Sequence, residues 1–329
     1  MICGGVSMAN GEKIKKNSLE NEEFKIKTAI TDIESNKIIT RGYSQEDLIG
    51  NISFSDMVYL LLKGDLPSPK ESQMLNHILI SFCDHGVTTP STQTARLIAS
   101  SGSPLNIALS GGLLSFGKKH AGAIEDSMNL FQSTFNKDIS NEFNDFKDSS
   151  NSENFNNSEN FSNSENFDNL EDIKNLENTN NLEDIGDFDD LQIEKLANAI
   201  VNKYLKENKK IPGFGHRYHT KDPRGAKVID LARNEKFIGK HTKLALAIEK
   251  ILFEKKGVHI NIDGANGAVL SDMGFSSALG IGIFMIGRIP GIIAHVNEEI
   301  TKKEEFRKFC NIEDISYCGY EDKQLDDEI

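Results

Sequence analysis

Tryptophan is absent from the 329-residue chain, and cysteine occurs only as Cys3, Cys83, Cys310 and Cys318. These four lie far apart with no CxxC pair, which excludes a disulfide framework and a zinc-finger-type site. With no long apolar run at the N-terminus, they predict a reducing, cytoplasmic setting and no secretory signal. A basic excess is also missing. The chain carries 37 Lys+Arg against 50 Asp+Glu, net −13, so no surplus cation remains to neutralise nucleic-acid phosphates. That acidity is local: residues 136–190 hold 16 Asp+Glu and 3 Lys, and the other 274 residues sum to zero. No apolar stretch reads as a membrane span. The strongest, Ala278 to Val296, is interrupted by four glycines and by Arg288. It predicts a helix buried in protein, and an arginine buried there requires an anionic partner. Nucleotide-binding GxGxxG and GxxxxGK[ST] motifs are lacking, as are a GxSxG elbow and histidine pairs at metal-ligand spacing.

What is present is mostly helical. Residues 1–24 are polar and read as a loose arm. Thr28–Leu48 alternates (Ile30, Ile33, Ile38, Ile39) about a turn at Ser35-Asn36, the pattern of a short hairpin or extended segment. From Ser53, a candidate N-cap, Phe54, Val58, Leu61 and Leu62 share one helical face, and Gly64 ends that helix. Helical patterns recur at 70–85, 91–101, 104–117 and 120–135, then at 191–205, 225–235, 242–256 and 278–300, with about ten helices in all. No alternation of strands with helices suggests a parallel sheet. The segment 136–190 repeats NSENF at 151, 157 and 163 and NLEDI at 169 and 181. Its composition predicts a disordered acidic insertion; a partner-binding or metal-buffering tract is the alternative.

Three loops concentrate reactive side chains. His120, in Lys118-Lys119-His120-Ala121-Gly122, is placed at a helix start, either as a polar cap or as a neutral imidazole able to donate to an oxyanion. Pro212-Gly213-Phe214-Gly215-His216-Arg217, followed by Asp222-Pro223-Arg224, exposes backbone beside basic groups. It is either a structural turn or a seat for an anionic or carbonyl ligand. Asp263 lies among apolar residues in His259–Gly267, where desolvation would raise its pKa and make it a candidate base; a helix N-cap is the competing assignment. With His85 and Arg288, these residues point to acid–base chemistry on a polyanion.

Five blocks in this order resemble the citrate synthase superfamily. They are Arg41-Gly42-Tyr43 with Tyr59–Pro67, Asp84–Thr92, His120–Glu125, Pro212–Arg217 with Asp222-Pro223-Arg224, and Asn261–Gly264 with Gly287-Arg288. The likeness is greatest to its short members, the citryl-CoA lyases and the C-terminal module of ATP-citrate lyase. It implies an all-α fold with a large and a small helical subdomain, an active site in the cleft between them, and a homodimer. The catalytic domain would comprise 25–135 and 191–312, with an acidic tail at 313–329. The resemblance makes Asp263 the base that deprotonates the methyl of acetyl-CoA, His120 the donor to the enolate oxygen, and His216 the group that polarises the ketone of oxaloacetate. In reverse the same groups cleave citryl-CoA. His85, Arg224 and Arg288 fall on carboxylate-binding positions, with Arg307 a candidate contributed by a partner subunit. Pro212, Gly213, Phe214, Gly215 and Arg217 fall on the CoA-binding segment. No metal and no cofactor beyond the CoA thioester substrate are implied, and no nucleic acid or membrane partner.

One departure is chemical: Ala121 stands where the family usually has glycine, so a positive φ there would carry a strain. Without 136–190 the chain is close in length to stand-alone citryl-CoA lyases, leaving open whether the thioester is hydrolysed. A 2-methylcitrate synthase and a non-catalytic CoA-binding subunit are the other readings.

Overall fold

A computed structural model describes residues 27–135, 188–217, 219–302 and 310–320. The N-terminal arm, the repeats of the acidic insertion, Arg307 and the end of the acidic tail lie outside the described residues. The expected hairpin is present. β1 (Thr31–Glu34) and β2 (Lys37–Thr40) pair antiparallel with Ile33 opposite Ile38, and β3 (Tyr43–Ser44) adds to β2. The turn at Ser35-Asn36 places Asn36 at φ 60°, a left-handed conformation that asparagine tolerates. Arg41 ties this ribbon to the body by donating from Nη2 to the Leu61 carbonyl at 2.8 Å.

The other regular elements among the described residues are α-helices and short 3₁₀ turns. After α1 (Gln45–Leu48), α2 (Phe54–Lys63) starts at a capping box in which Ser53 and Asp56 satisfy each other's backbone N–H, and ends at Gly64 in the left-handed region. α3 (Pro69–Phe82) repeats the device with Ser68, Glu71 and proline at the first turn. α4 (Pro90–Ser100), α5 (Leu105–Leu114) and α6 (Gly122–Thr134) follow. After the insertion come α7 (Asp190–Lys206), α8 (Pro223–Asn234), α9 (Lys240–Lys256), α10 (Ile262–Asp272) and α11 (Gly280–Lys302).

α10 is the axle of the fold. Ile262 and every residue from Gly264 to Ser271 are buried, because α3, α6, α8 and α9 pack around it. Small residues make this possible. A Cβ at Gly264 would overlap the Gly213 carbonyl, and one at Gly267 would overlap the Ser127 hydroxyl. The main core runs from Tyr59 and Phe82 through Phe131, Ile248 and Val269 to Phe284. A smaller cluster, Ala95, Ala99, Ala108, Ile292 and Val296, joins α4, α5 and the second half of α11, and Phe116 touches both. The apolar run at 278–296 is therefore a protein-packed helix. Its Ile283, Phe284, Gly287, Arg288, Gly291 and Ile292 are buried among neighbouring helices.

Asp272, at the end of α10, caps α9 from outside. Its carboxylate accepts backbone N–H from Gly239 at 3.0 Å, His241 at 2.9 Å and Thr242 at 3.1 Å, and the His241 Nδ1–H at 2.9 Å. Asp272→Ala would strand these donors in a buried position. The expected loss is on the order of 3 kcal/mol of unfolding free energy, read by urea denaturation.

Candidate active site

The three reactive loops converge. Asn261 caps α10, its Oδ1 accepting the backbone N–H of Asp263 at 3.0 Å and of Gly264 at 3.1 Å. That decides between the two sequence readings of Asp263: its carboxylate is not the cap and is left for other work. Asp263 as a residue keeps some exposure, but its Oδ1 is sealed from solvent and has no hydrogen-bond partner. Burial pushes its pKa up to about 6, with the Asp222 carboxylate adding to the rise and Arg224 and Arg288 opposing it.

The loop carrying His216 is stitched to the same segment. Gly213 (φ 84°) and Gly215 (φ 80°) both occupy the left-handed region. The Asn261 N–H donates to the Gly213 carbonyl at 3.0 Å, Gly215 N–H to the His259 carbonyl at 2.8 Å, and Asn261 Nδ2 to the Gly215 carbonyl at 2.6 Å. Phe214 anchors the turn. It is buried edge-on to Phe131 with ring centroids 6.5 Å apart, so its side chain belongs to the core and only its backbone borders the loop surface. Pro212 is half-buried and Arg217 exposed.

Asp222 is a hub that the sequence did not single out. It is buried, caps α8 by accepting the Arg224 N–H at 3.0 Å, and receives Arg224 Nε at 3.1 Å and Nη2 at 2.9 Å. The Ile262 N–H reaches it at 3.3 Å, and His216 Nε2 lies 3.9 Å away. Burial alone would raise the Asp222 pKa, but the Arg224 hydrogen bonds and charge outweigh it and hold the carboxyl below the usual range. Arg224, expected to bind a substrate carboxylate, thus has Nε and Nη2 committed inside the protein.

Arg288 is only 2% exposed, at the centre of α11. Its Nε donates to the Phe82 carbonyl, its guanidinium carbon lies 5.0 Å from the Phe284 ring centroid, and its Nη1 is sealed with no partner. Among the described residues no carboxylate pairs with it directly. Asp84 and Asp263 act on it only as nearby charges.

His120 precedes α6 in a tight turn, exchanging backbone hydrogen bonds with Gly117 at 2.9 and 2.8 Å. Its Nε2 meets Ser91 Oγ at 2.9 Å, and Ser91 and Thr92 both contact Thr89 Oγ1. Its pKa is depressed to about 4, first by burial and then by the Arg288 and Arg217 charges. Burial and the two arginine charges thus favour the neutral imidazole that the sequence suggests. His85 and His216 stand edge-to-face at 5.5 Å, each with its pKa lowered first by burial. His219, unnoticed in the sequence, joins them. Its ring lies 4.6 Å from that of His216. Ser91 and His219 carry no local signal that could have found them, whereas Asp222 before Pro223 is a helix-start pattern.

Beside this cluster a groove of about 830 Å³ lies between α6 and α7, lined by Lys118, Lys203, Tyr204, Lys209, Lys210 and Pro212 among others. Lys118 connects it to the His120 turn and Pro212 to the His216 loop.

A family model described as "Citrate synthase, C-terminal domain" matches residues 22–76, 67–154 and 169–308. The citryl-CoA lyase of Hydrogenobacter thermophilus is 34% identical, with a TM-score of 0.68 over 91% of this chain and 97% of that one. The ATP citrate lyase of Methanothrix soehngenii shares the fold at 18% identity, with a TM-score of 0.64 over 98% of this chain and 47% of that one. The citrate/2-methylcitrate synthase of Bacillus subtilis is 26% identical over 275 residues, 82% of this chain and 57% of that protein. The matched region spans 27% to 57% of the length of the curated relatives it resembles.

Ala121 adopts φ 67°, the left-handed conformation that its replacement of glycine made costly. Ala121→Gly is expected to stabilise the fold by about 0.5–1 kcal/mol, the released strain less the added unfolded-chain entropy of glycine. Thermal and denaturant unfolding check it; a less stable variant would contradict the strain.

Proposed function

The chain belongs to the citrate synthase family, and on that premise we propose that it makes or breaks the carbon–carbon bond between acetyl-CoA and oxaloacetate through citryl-CoA. The observation that carries this reading is a sealed carboxylate, Asp263, with its pKa raised to about 6, within electrostatic reach of a buried guanidinium that lacks a carboxylate partner. A thioester methyl is weakly acidic, so its deprotonation needs a desolvated base and a donor for the enolate oxygen. Asp263 takes the methyl proton. His120, neutral, donates a hydrogen bond to the thioester oxygen as negative charge builds there. With Ser91 Oγ at its Nε2, the nitrogen left for that bond is Nδ1, and the serine hydroxyl donates to Nε2. The enolate carbon then attacks the ketone carbon of oxaloacetate, and His216 donates the hydrogen bond and then the proton to the ketone oxygen as it becomes the hydroxyl of citryl-CoA; the proton held by Asp263 then restores His216 through solvent, so that none is gained or lost overall. Cleavage runs these transfers in reverse.

Arg288 Nη1 supplies the unpaired buried donor that a substrate carboxylate would satisfy, with His85 and the remaining edge of Arg224 nearby. Arg307 stays a candidate from a partner subunit. CoA is assigned to the backbone of the Pro212–Arg217 loop, with its phosphates beside Lys118, Lys203, Lys209 and Lys210 in the adjoining groove. A homodimer is supported by α5. Its sequence, LNIALSGGLL, is apolar all round, yet only Ala108 and Gly112 are buried, and Ile107, Leu114 and the neighbouring Leu97 are exposed. The unpaired thiols of Cys83, Cys310 and Cys318 suit a cytoplasmic setting.

Between directions, the full-length likeness to a citryl-CoA lyase favours cleavage without thioester hydrolysis. Product analysis decides it. Free citrate from acetyl-CoA and oxaloacetate would mark a synthase, whereas citryl-CoA converted to those two compounds without citrate marks a lyase. Propionyl-CoA in the same assay tests the 2-methylcitrate reading. Asp263→Asn is expected to lower kcat more than about 100-fold with the assembly unchanged. In the wild type kcat/KM for condensation should rise with pH through about 6, because the base works only when ionised, and kcat/KM for citryl-CoA cleavage should fall through the same pH, because there Asp263 must return the proton. Full activity in Asp263→Asn would exclude the non-catalytic alternative and the base assignment together.

A further inference from the structure

His216 would serve as a proton donor only if its hydrogen sits on the nitrogen that meets substrate. The backbone N–H of His219 donates to His216 Nδ1 at 3.2 Å. A neutral His216 with Nδ1 accepting carries its proton on Nε2, the nitrogen 3.9 Å from Asp222 Oδ2. The side chain of His219 acts at the same place. Its ring lies against that of His216, with centroids 4.6 Å apart and planes inclined by 31°, and 6.3 Å from His85. His219 is exposed while its two neighbours are partly buried, so it covers the solvent side of the imidazole pair.

We propose that His219 is a positioning residue for His216: it holds the hydrogen on Nε2 through its backbone N–H and closes the pair against water with its ring. The inference rests on the reading of His216 as proton donor, but its structural part does not depend on turnover. The charged groups that face His216 are Asp222 and Arg224 at the start of α8, Arg217 and His219 on its own loop, and His85 beyond α3. Of these Asp222 favours a second proton on the ring. The arginines and the other imidazoles, when cationic, oppose it. Both contributions of His219 have one sign, because protonating Nδ1 breaks the bond from its backbone and places a cation beside its ring.

The test uses the full chain labelled with ¹⁵N-histidine, with His216 identified by its loss in His216→Gln. Three variants separate the contributions. His219→Pro removes the backbone N–H. His219→Phe keeps an aromatic ring without charge, and His219→Ala removes the ring. In His219→Phe the long-range ¹H–¹⁵N pattern should still report Nε2–H, the His216 titration midpoint should rise by roughly 0.5–1 unit, and citryl-CoA turnover should stay within about threefold. In His219→Ala, which keeps the backbone N–H, Nε2–H should also persist, while loss of the ring opens the pair to water and lowers kcat about tenfold with KM little changed; in His219→Pro the two neutral tautomers should mix. An unchanged midpoint in His219→Phe and His219→Ala, or Nε2–H undiminished in His219→Pro, would overturn the inference whatever their activity. A wild type that binds CoA but turns over no citryl-CoA, with these spectral changes present, would refute the functional reading and leave the positioning of His216 intact.

Discussion

The contact on which the site depends is between two backbones, Gly213 and Gly264. A Cβ on either residue would run into the other's main chain, so the His216 loop lies directly on the first turn of α10 only because both side chains are absent. That approach lets Asn261 serve two masters. Its Oδ1 caps α10 while its Nδ2 and N–H hold the loop carbonyls of Gly215 and Gly213. Asp263 and His216, 47 positions apart in the sequence, are thereby placed by one patch of hydrogen bonds rather than by separate elements. A site held this way tolerates little displacement, since moving the loop breaks the α10 cap as well.

Burial does most of the electrostatic work. His120 and Asp263 move in opposite directions, down to about 4 and up to about 6, because desolvation disfavours whichever form is charged. The result is a neutral imidazole and a carboxylate poised near its working pH. Asp222 shows that burial does not always win. There the bidentate Arg224 contact outweighs it and the carboxylate stays ionised. Two acids at the start of α10, Asp263 within it and Asp222 accepting the Ile262 N–H, therefore take different roles. Asp222 is a fixed charge that holds Arg224 and faces His216, while Asp263, unpaired, is the one able to exchange a proton.

The sequence was most legible where physics is local. Ser53, Gly64 and the Ser35-Asn36 turn mark element ends because caps and turns involve residues a few positions apart. Asp263 announced its raised pKa because the run of sequence around it, Ile262 and Gly264 to Ser271, is itself buried. Arg288 announced its burial in the same way. The site's connections were not legible, because they cross the fold. Ser91 reaches His120 over 29 residues, and Arg288 reaches Phe82 over 206. Phe214 reads as part of an exposed loop until Phe131 is packed against it. Arg224 reads as a free carboxylate binder because pairing with Asp222 depends on the bend at the start of α8, not on spacing.

The Arg288 contact also explains how a helix of membrane-like composition is fixed in a protein. α11 is long and apolar enough to cross a bilayer by length and hydropathy alone. Phe82 is the last residue of α3, and carbonyls at a helix C-terminus lack intrahelical partners and carry negative partial charge. Arg288 Nε donates into that end, while Gly287 and Gly291 let α11 lie against the Leu79–Cys83 backbone. The guanidinium thus places one of its five N–H donors on α3, and the Phe284 ring face adds a cation–π contact. What remains unsatisfied is Nη1, on the residue that α11 cannot withdraw without uncapping α3. A buried charge stabilised on one side and unpaired on the other is a poor device for stability and a good one for binding an anion. On that argument Nη1 costs the folded chain stability and is the donor that the proposed carboxylate ligand would satisfy.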